Sequence, residues 1–229
     1  MPDIDLAVSS VRELNSSLHR LPFDTNETHW CVLNPRGRHS VAVGLEKPIH
    51  IEIDGHVGYY CAGMNKEATV VVNGNAGQGV AENMMSGKVW VKGDASQAAG
   101  ATGCGGLLVI DGNASARCGI SMKGIDIVVK GSVGHLSAFM AQAGNLVVLG
   151  DAGEALGDSI YEARLFVRGK VASLGADCVE KHLEDRHRQD LRRLLDAAGL
   201  NGSVDVNEFR RYGSSRKLYH FHMDNVGAY

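Results

Sequence analysis

Proline, aromatic side chains, clustered cysteines and long apolar runs are all scarce in this chain of 229 residues. No apolar stretch approaches the ~20 residues that a membrane-spanning helix needs, so no span is expected. The five cysteines, Cys31, Cys61, Cys104, Cys118 and Cys178, are odd in number and form no CxxC pair. That pattern argues against a zinc ribbon, an iron–sulfur cluster or a thioredoxin-type site, and for a reduced compartment. An excess of one charge is lacking too. With 23 basic and 26 acidic residues the formal charge is -3, which gives no electrostatic footprint for nucleic acid or an anionic membrane. The first residues carry Asp3 and Asp5 where an export signal would be basic, so a cytoplasmic location is expected. At 44% hydrophobic and 21% charged residues, the composition excludes wholesale disorder.

Glycine is what the chain has in excess, and its placement is periodic. There are 29 glycines, about 13% of the chain against a usual ~7%. Gly55, Gly74, Gly93, Gly112, Gly131, Gly150 and Gly169 follow one another at intervals of 19 residues. Two and four residues before each of them every side chain is aliphatic, from Ile51 and Ile53 to Leu165 and Val167. Two residues after the glycine stands Ala or Val, and seven after it Ala or Gly, ending at Gly157 and Ala176.

Alternation with period two before each glycine marks a strand with one face buried. A 19-residue unit is then one coil, which covers its apolar face only by stacking on the next at about 4.8 Å. The sequence therefore predicts an all-β protein, a single-stranded right-handed parallel β-helix of seven 19-residue coils over residues 50–182. A mixed N-terminal cap fills 1–49, and a C-terminal helix plus extended tail fills 183–229. The corner glycines are expected where φ is positive or two backbones approach closely. One residue before the glycine, Lys92, Asp111 and Lys130 would stack outward with alternating sign. Three before it, the outward column reads Val71, Trp90, Val109, Val128, Val147 and Phe166. Such an apolar stripe needs a cover, either this chain's own terminal segment or a docking partner.

The flanks read as caps. VRELNSSLHRL places Leu14, Leu18 and Leu21 on one side of a short helix, and the charged segment 178–198 places Leu183, Leu191, Leu194, Leu195 and Ala198 on one face of another. The tail mixes Arg210, Arg211, Arg216 and Lys217 with Phe209, Tyr212, Tyr219 and Phe221. In a net acidic chain this composition favours packing on the protein or a neighbour over nucleic acid.

Catalytic candidates are weak. No GxSxG elbow occurs, the nearest string being Gly134-His135-Leu136-Ser137-Ala138. Gly103-Cys104-Gly105-Gly106 lacks the lysine and following helix of a phosphate loop. His220 and His222 lack a third metal ligand at known spacing. Asp158 and Asp177, 19 apart, are expected about 5 Å from each other on adjacent coils, where a pair could share a proton or hold a cation. No catalytic, cofactor-binding or metal residue is assigned to this chain.

GDAGEALG, with Gly150, Gly153 and Gly157, resembles the GxxGxxxG signature of the C-terminal β-helix of the glutamate synthase large subunit. Gly74, Gly77 and Ala81, and Gly131, Gly134 and Ala138, repeat it less perfectly, and formylmethanofuran dehydrogenase has a similar subunit. VGYYCAGMNKEATV, GVAENMMSG, SARCGISMKGIDIVVKG, GDSIYEARLFVRG and the RRYGSSRKLYHF tail are more similar to a stand-alone subunit of that kind, the small β-helical subunit of N-methylglutamate synthase. The resemblance implies a scaffold in a hetero-oligomer with a glutamine-amidotransferase-like subunit and an FMN-binding glutamate-synthase-like subunit. FMN, with or without an iron–sulfur cluster, then belongs to a partner. The amidotransferase nucleophile is an N-terminal cysteine exposed by Met removal, whereas residue 2 here is Pro2, so that chemistry also falls to a partner. Two alternatives stay open: an equivalent subunit of a glutamate synthase or other amidotransferase complex, and a self-sufficient carbohydrate-active β-helix working with Asp158 and Asp177.

Overall fold

The computed structural model describes residues 3–216. Its strands are β1 (Asp3–Asp5), β2 (His29–Leu33), β3 (His50–Asp54), β4 (Thr69–Val72), β5 (Lys88–Val91), β6 (Leu107–Ile110), β7 (Lys123–Val129), β8 (Ala143–Val148), β9 (Arg164–Val167), β10 (Cys178–Lys181) and β11 (Arg210–Ser214). Two helices, α1 (Val11–Arg20) and α2 (Asp185–Ala197), complete the elements together with a 3₁₀ turn at Val206–Glu208. All eleven strands join one sheet in chain order, except that β11 inserts between β9 and β10. From β1 to β9 the pairing is parallel, so the chain winds as a β-solenoid, and β11 runs antiparallel to both of its neighbours. Among the described residues no helix is long and apolar enough to cross a membrane.

The aliphatic columns form the interior as the alternation requires. Ile51, Val70, Val89, Leu108, Ile127, Leu146 and Leu165 are fully buried, as are Ile53, Val72, Val91, Ile110, Val129, Val148 and Val167. Close approach of successive backbones explains the corner glycines. A Cβ on Gly74 would lie 2.7 Å from the carbonyl carbon of Gly55, and the amide of Gly93 donates to the carbonyl of Gly74 at 3.0 Å. Gly77 and Gly153 of the GxxGxxxG pattern face the same restriction, from the carbonyl carbons of Gly58 at 2.6 Å and Gly134 at 2.8 Å. Outside, Asp111 takes Lys130 at 2.7 Å and Lys92 at 3.7 Å, the alternating column expected from the sequence.

One column escaped the sequence reading. In the residue after each corner glycine, a side chain accepts from the backbone N–H of its counterpart one coil on. His56 Nδ1 takes Asn75, Asn75 Oδ1 takes Asp94, Asp94 takes Asn113, Asn113 takes Ser132, Ser132 Oγ takes Asp151, and Asp151 takes Lys170, all at 2.7–2.9 Å. These bonds satisfy amides at the corners, where the strand ladder stops supplying partners.

The regular coils have irregular neighbours. Residues before 50 already wind: β2 pairs with β3 at an offset of 21 residues, His29 against His50, and Pro35 fills the corner against Gly55. Helix α1 starts at a capping box of Ser10 and Glu13 and buries Leu14 and Leu18. At the far end the period slips. Leu156 pairs with Leu174, 18 residues on, so the constant spacing of the corner glycines conceals a one-residue deletion. Cys178–Lys181 is strand, and the helix begins only at Asp185.

The polar ladder generates a test. Asn113→Ala removes the acceptor for Ser132 N–H, which is expected to cost about 1 kcal/mol. Asn75→Ala, two coils away, should add a similar amount. Urea unfolding of the single and double variants checks this, and unchanged midpoints would show that the ladder contributes nothing.

Candidate functional site: the stripe beneath the C-terminal helix

The outward apolar column is the main surface feature that the repeat creates, and the chain covers most of it itself. Val109, Val128, Val147 and Phe166 are fully buried in a second core with Leu191, Leu194, Leu195 and Ala198 of α2 and with Val206 and Phe209 of the following segment. These four residues belong to the candidate docking stripe with Val71 and Trp90, for which the sequence left open a cover by this chain or by a partner, and here they are the bed of an intramolecular helix. The cause is in α2, where leucines at 191, 194 and 195 recur at helical spacing and meet the sheet together. Trp90, half-buried, packs against the margin of this second core, where a Cβ on Gly199 just past α2 would lie 3.1 Å from its ring, and Val71 one coil before it is also half-buried.

Polar contacts fix the helix in register. Arg193 reaches Asp126 at 3.4 Å, Arg164 reaches Asp190 at 2.7 Å, and Lys88 Nζ donates to the Ala197 carbonyl at 2.8 Å. Asn145 Nδ2 donates to Asp126 at 2.6 Å beneath them. Beyond the helix end, Trp90 donates its indole N–H to Asp111 at 2.9 Å. Lys88, Lys92 and Lys130 stand 4.3, 3.5 and 5.1 Å from the Trp90 ring, where each ammonium gains from the π face. Burial, then the other two lysines, lowers the pKa of Lys88.

At the N-terminus of α2, His187 is buried and its Nδ1 accepts from the Glu184 amide at 3.1 Å. Burial first, and then the Arg211 guanidinium, holds the His187 pKa below the ordinary 6.5. An open hollow of about 510 Å³ lies between α2 and the 3₁₀ turn, lined by Arg192, Leu195, Asp196, Val204, Asp205 and Glu208 among others. Its mixed charges converge on no single centre.

The catalytic candidates do not assemble. Ser137 is buried and donates to the Gly134 carbonyl at 2.8 Å. Burial pushes the thiols of Cys61 and Cys118 up to about 12 and that of Cys178 to about 11, far from the thiolate that nucleophilic chemistry needs. Cys104 is exposed, with its thiol toward the Thr102 carbonyl at 3.6 Å. The slipped period sets Asp158 against Ala176, whose amide approaches its Oδ2 at 3.3 Å, while Asp177 forms an ion pair with Arg216. The two aspartates expected to face one another are therefore separately engaged. Among the described residues, no three of His, Cys, Asp and Glu are gathered as a metal cluster. His220 and His222 lie outside the described residues, as do Tyr219 and Phe221.

The chain is 63% identical over 229 residues to Protein GlxC of Rhizobium meliloti (strain 1021), covering all of both chains. No family model matches it, and no solved structure does.

Two tests follow from the covered stripe. Leu194→Asp should detach α2, with a stability loss of about 3 kcal/mol and a red shift of Trp90 emission as its surroundings open; unaltered emission would contradict the packing. The second concerns acid. Since the His187 pKa is lowered on folding, the unfolded chain takes up the proton first. Its contribution is full above 6.5 and lost as pH falls below that value, so stability should decline over that window in the parent and less steeply in His187→Gln. Equal slopes in equilibrium unfolding would refute it.

Proposed function

Given that the chain belongs to the family of Protein GlxC, we propose that it is the non-catalytic scaffold subunit of a glutamate-synthase-like heteromeric enzyme. The enzyme is N-methylglutamate synthase, which converts methylamine and L-glutamate to N-methyl-L-glutamate and ammonia. A glutamine-amidotransferase-like subunit and an FMN-binding subunit carry the chemistry and the flavin, and this chain holds the two together.

The observation that carries the reading is the solenoid built on GxxGxxxG corners, whose first two glycines are required by backbone contact between coils and whose third, Gly157, by a positive φ. It is the feature by which the sequence resembles the glutamate synthase β-helix. A solid interior of stacked aliphatic columns suits a rigid spacer. The docking surface on this reading is the turn side, opposite in role to the sheet that α2 occupies. Nine or eleven residues after the corner glycines, Met64, Met85, Met140 and Tyr161 are exposed by 41, 50, 44 and 49%, and methionine-rich surfaces adapt well to a partner. The carbohydrate-active alternative is less well supported, because its two aspartates are out of register and Asp177 is ion-paired with Arg216.

Affinity purification of the tagged chain from its native cells tests the proposal. Two stoichiometric partners, a flavin spectrum and methylamine-dependent formation of N-methylglutamate are expected. Glutamine-dependent glutamate formation instead would move the subunit to a glutamate synthase, and a lone colourless chain would overturn the scaffold reading.

A further inference from the structure

At the N-terminal end of the sheet, the 21-residue offset between β2 and β3 sets two short pairs of metal-ligand residues side by side. His29 and Cys31 stand on β2, and His50 and Glu52 on β3, with His29 against His50 and Cys31 against Glu52. A continued 19-residue period would have set His29 against Pro48. All four point away from the core, since Trp30, Val32, Ile51 and Ile53 between and beside them are buried. Parallel strands place such side chains on a grid of about 4.8 by 6.6 Å, a spacing from which imidazole, thiolate and carboxylate can reach one ion.

The contacts within this grid match that chemistry. His50 Nε2 lies 3.4 Å from Glu52 Oε1, long for a charged hydrogen bond but close to the ~3.4 Å edge of a tetrahedron with 2.0–2.2 Å metal–ligand bonds. The His29 and His50 ring centroids are 5.4 Å apart. Thr28 Oγ1 contacts His29 Nδ1 at 3.0 Å, the outer-shell arrangement that orients a ligating imidazole and leaves Nε2 open. Asp3 flanks Cys31 on β1, and neither lysine nor arginine occurs among the outward positions of the three strands.

We propose that Cys31, His29, His50 and Glu52 form a binding site for a borderline-soft divalent cation, Zn²⁺ being the best match to one thiolate, two imidazoles and a carboxylate. No three of these donors yet share a point, so binding turns the side chains about χ1 and χ2 on a backbone already in place. On binding, Cys31 releases its thiol proton to solvent. This site is independent of the scaffold reading.

The test uses the purified full chain stripped of metal. Zn²⁺ titrated against a chromophoric chelator should show one equivalent bound, and Co²⁺ should produce a near-ultraviolet thiolate charge-transfer band. Cys31→Ser should abolish the band and weaken binding about tenfold or more, with His50→Asn and the exposed Glu52→Gln weakening it likewise. Cys104→Ser and the double variant His220→Asn, His222→Asn should change neither. Thermal unfolding without metal verifies that each variant folds. Absence of equimolar binding, a band that survives Cys31→Ser, or one lost in Cys104→Ser would overturn the site.

Discussion

Contact between backbones at the coil corner sets everything else in this molecule. Gly74 sits against Gly55, and its neighbour is bare peptide at a distance that a Cβ cannot tolerate. With each corner resting directly on the one before, equivalent residues of successive coils are held in line from Ile51 to Leu165. Columns of one residue type follow from that alignment, because a side chain meets its own counterpart above and below. Aliphatic columns then fill the interior, and the Asn/Asp/Ser column uses the same alignment to pass hydrogen bonds from coil to coil.

The alignment also creates a problem that the chain must solve. A stacked outward column of Val109, Val128, Val147 and Phe166 is too apolar for water, and the C-terminal segment answers with three leucines at helical spacing and with Arg193 and Arg164–Asp190 at the edges. Helix α2 is thus part of the folded unit. The same segment then returns as β11 to lie antiparallel against β9, which ends the parallel ladder with a strand of opposite direction flanked by charged β10.

Much of this was legible from residue order, and the failures have physical reasons. Fourteen aliphatic positions and seven glycines at constant spacing announced the solenoid because each coil repeats the same environment. His29–Leu33 escaped because its coil is 21 residues long, so no common period links it to the others. The one-residue deletion between Leu156 and Leu174 was hidden by a corner glycine, Gly169, that keeps the spacing. The apolar stripe was visible, yet its cover was not, since nothing local distinguishes a helix that packs on its own sheet from one that packs on a partner. The His/Cys grid was invisible for the same reason as the first coil: cross-strand neighbours are defined by register, and the register there departs from the repeat.

Because α2 already occupies the sheet side, the proposed scaffold role assigns docking to the turn side, where Met140 and Tyr161 are exposed. Hydrogen exchange by mass spectrometry, on the free chain and on the complex purified from its native cells, tests this division most directly. The account predicts that α2 and the β6–β9 strands are equally protected in both, while turn segments around residues 136–142 and 158–162 gain protection only in the complex. Protection of α2 that appears only in the complex, with turn segments unchanged, would contradict it.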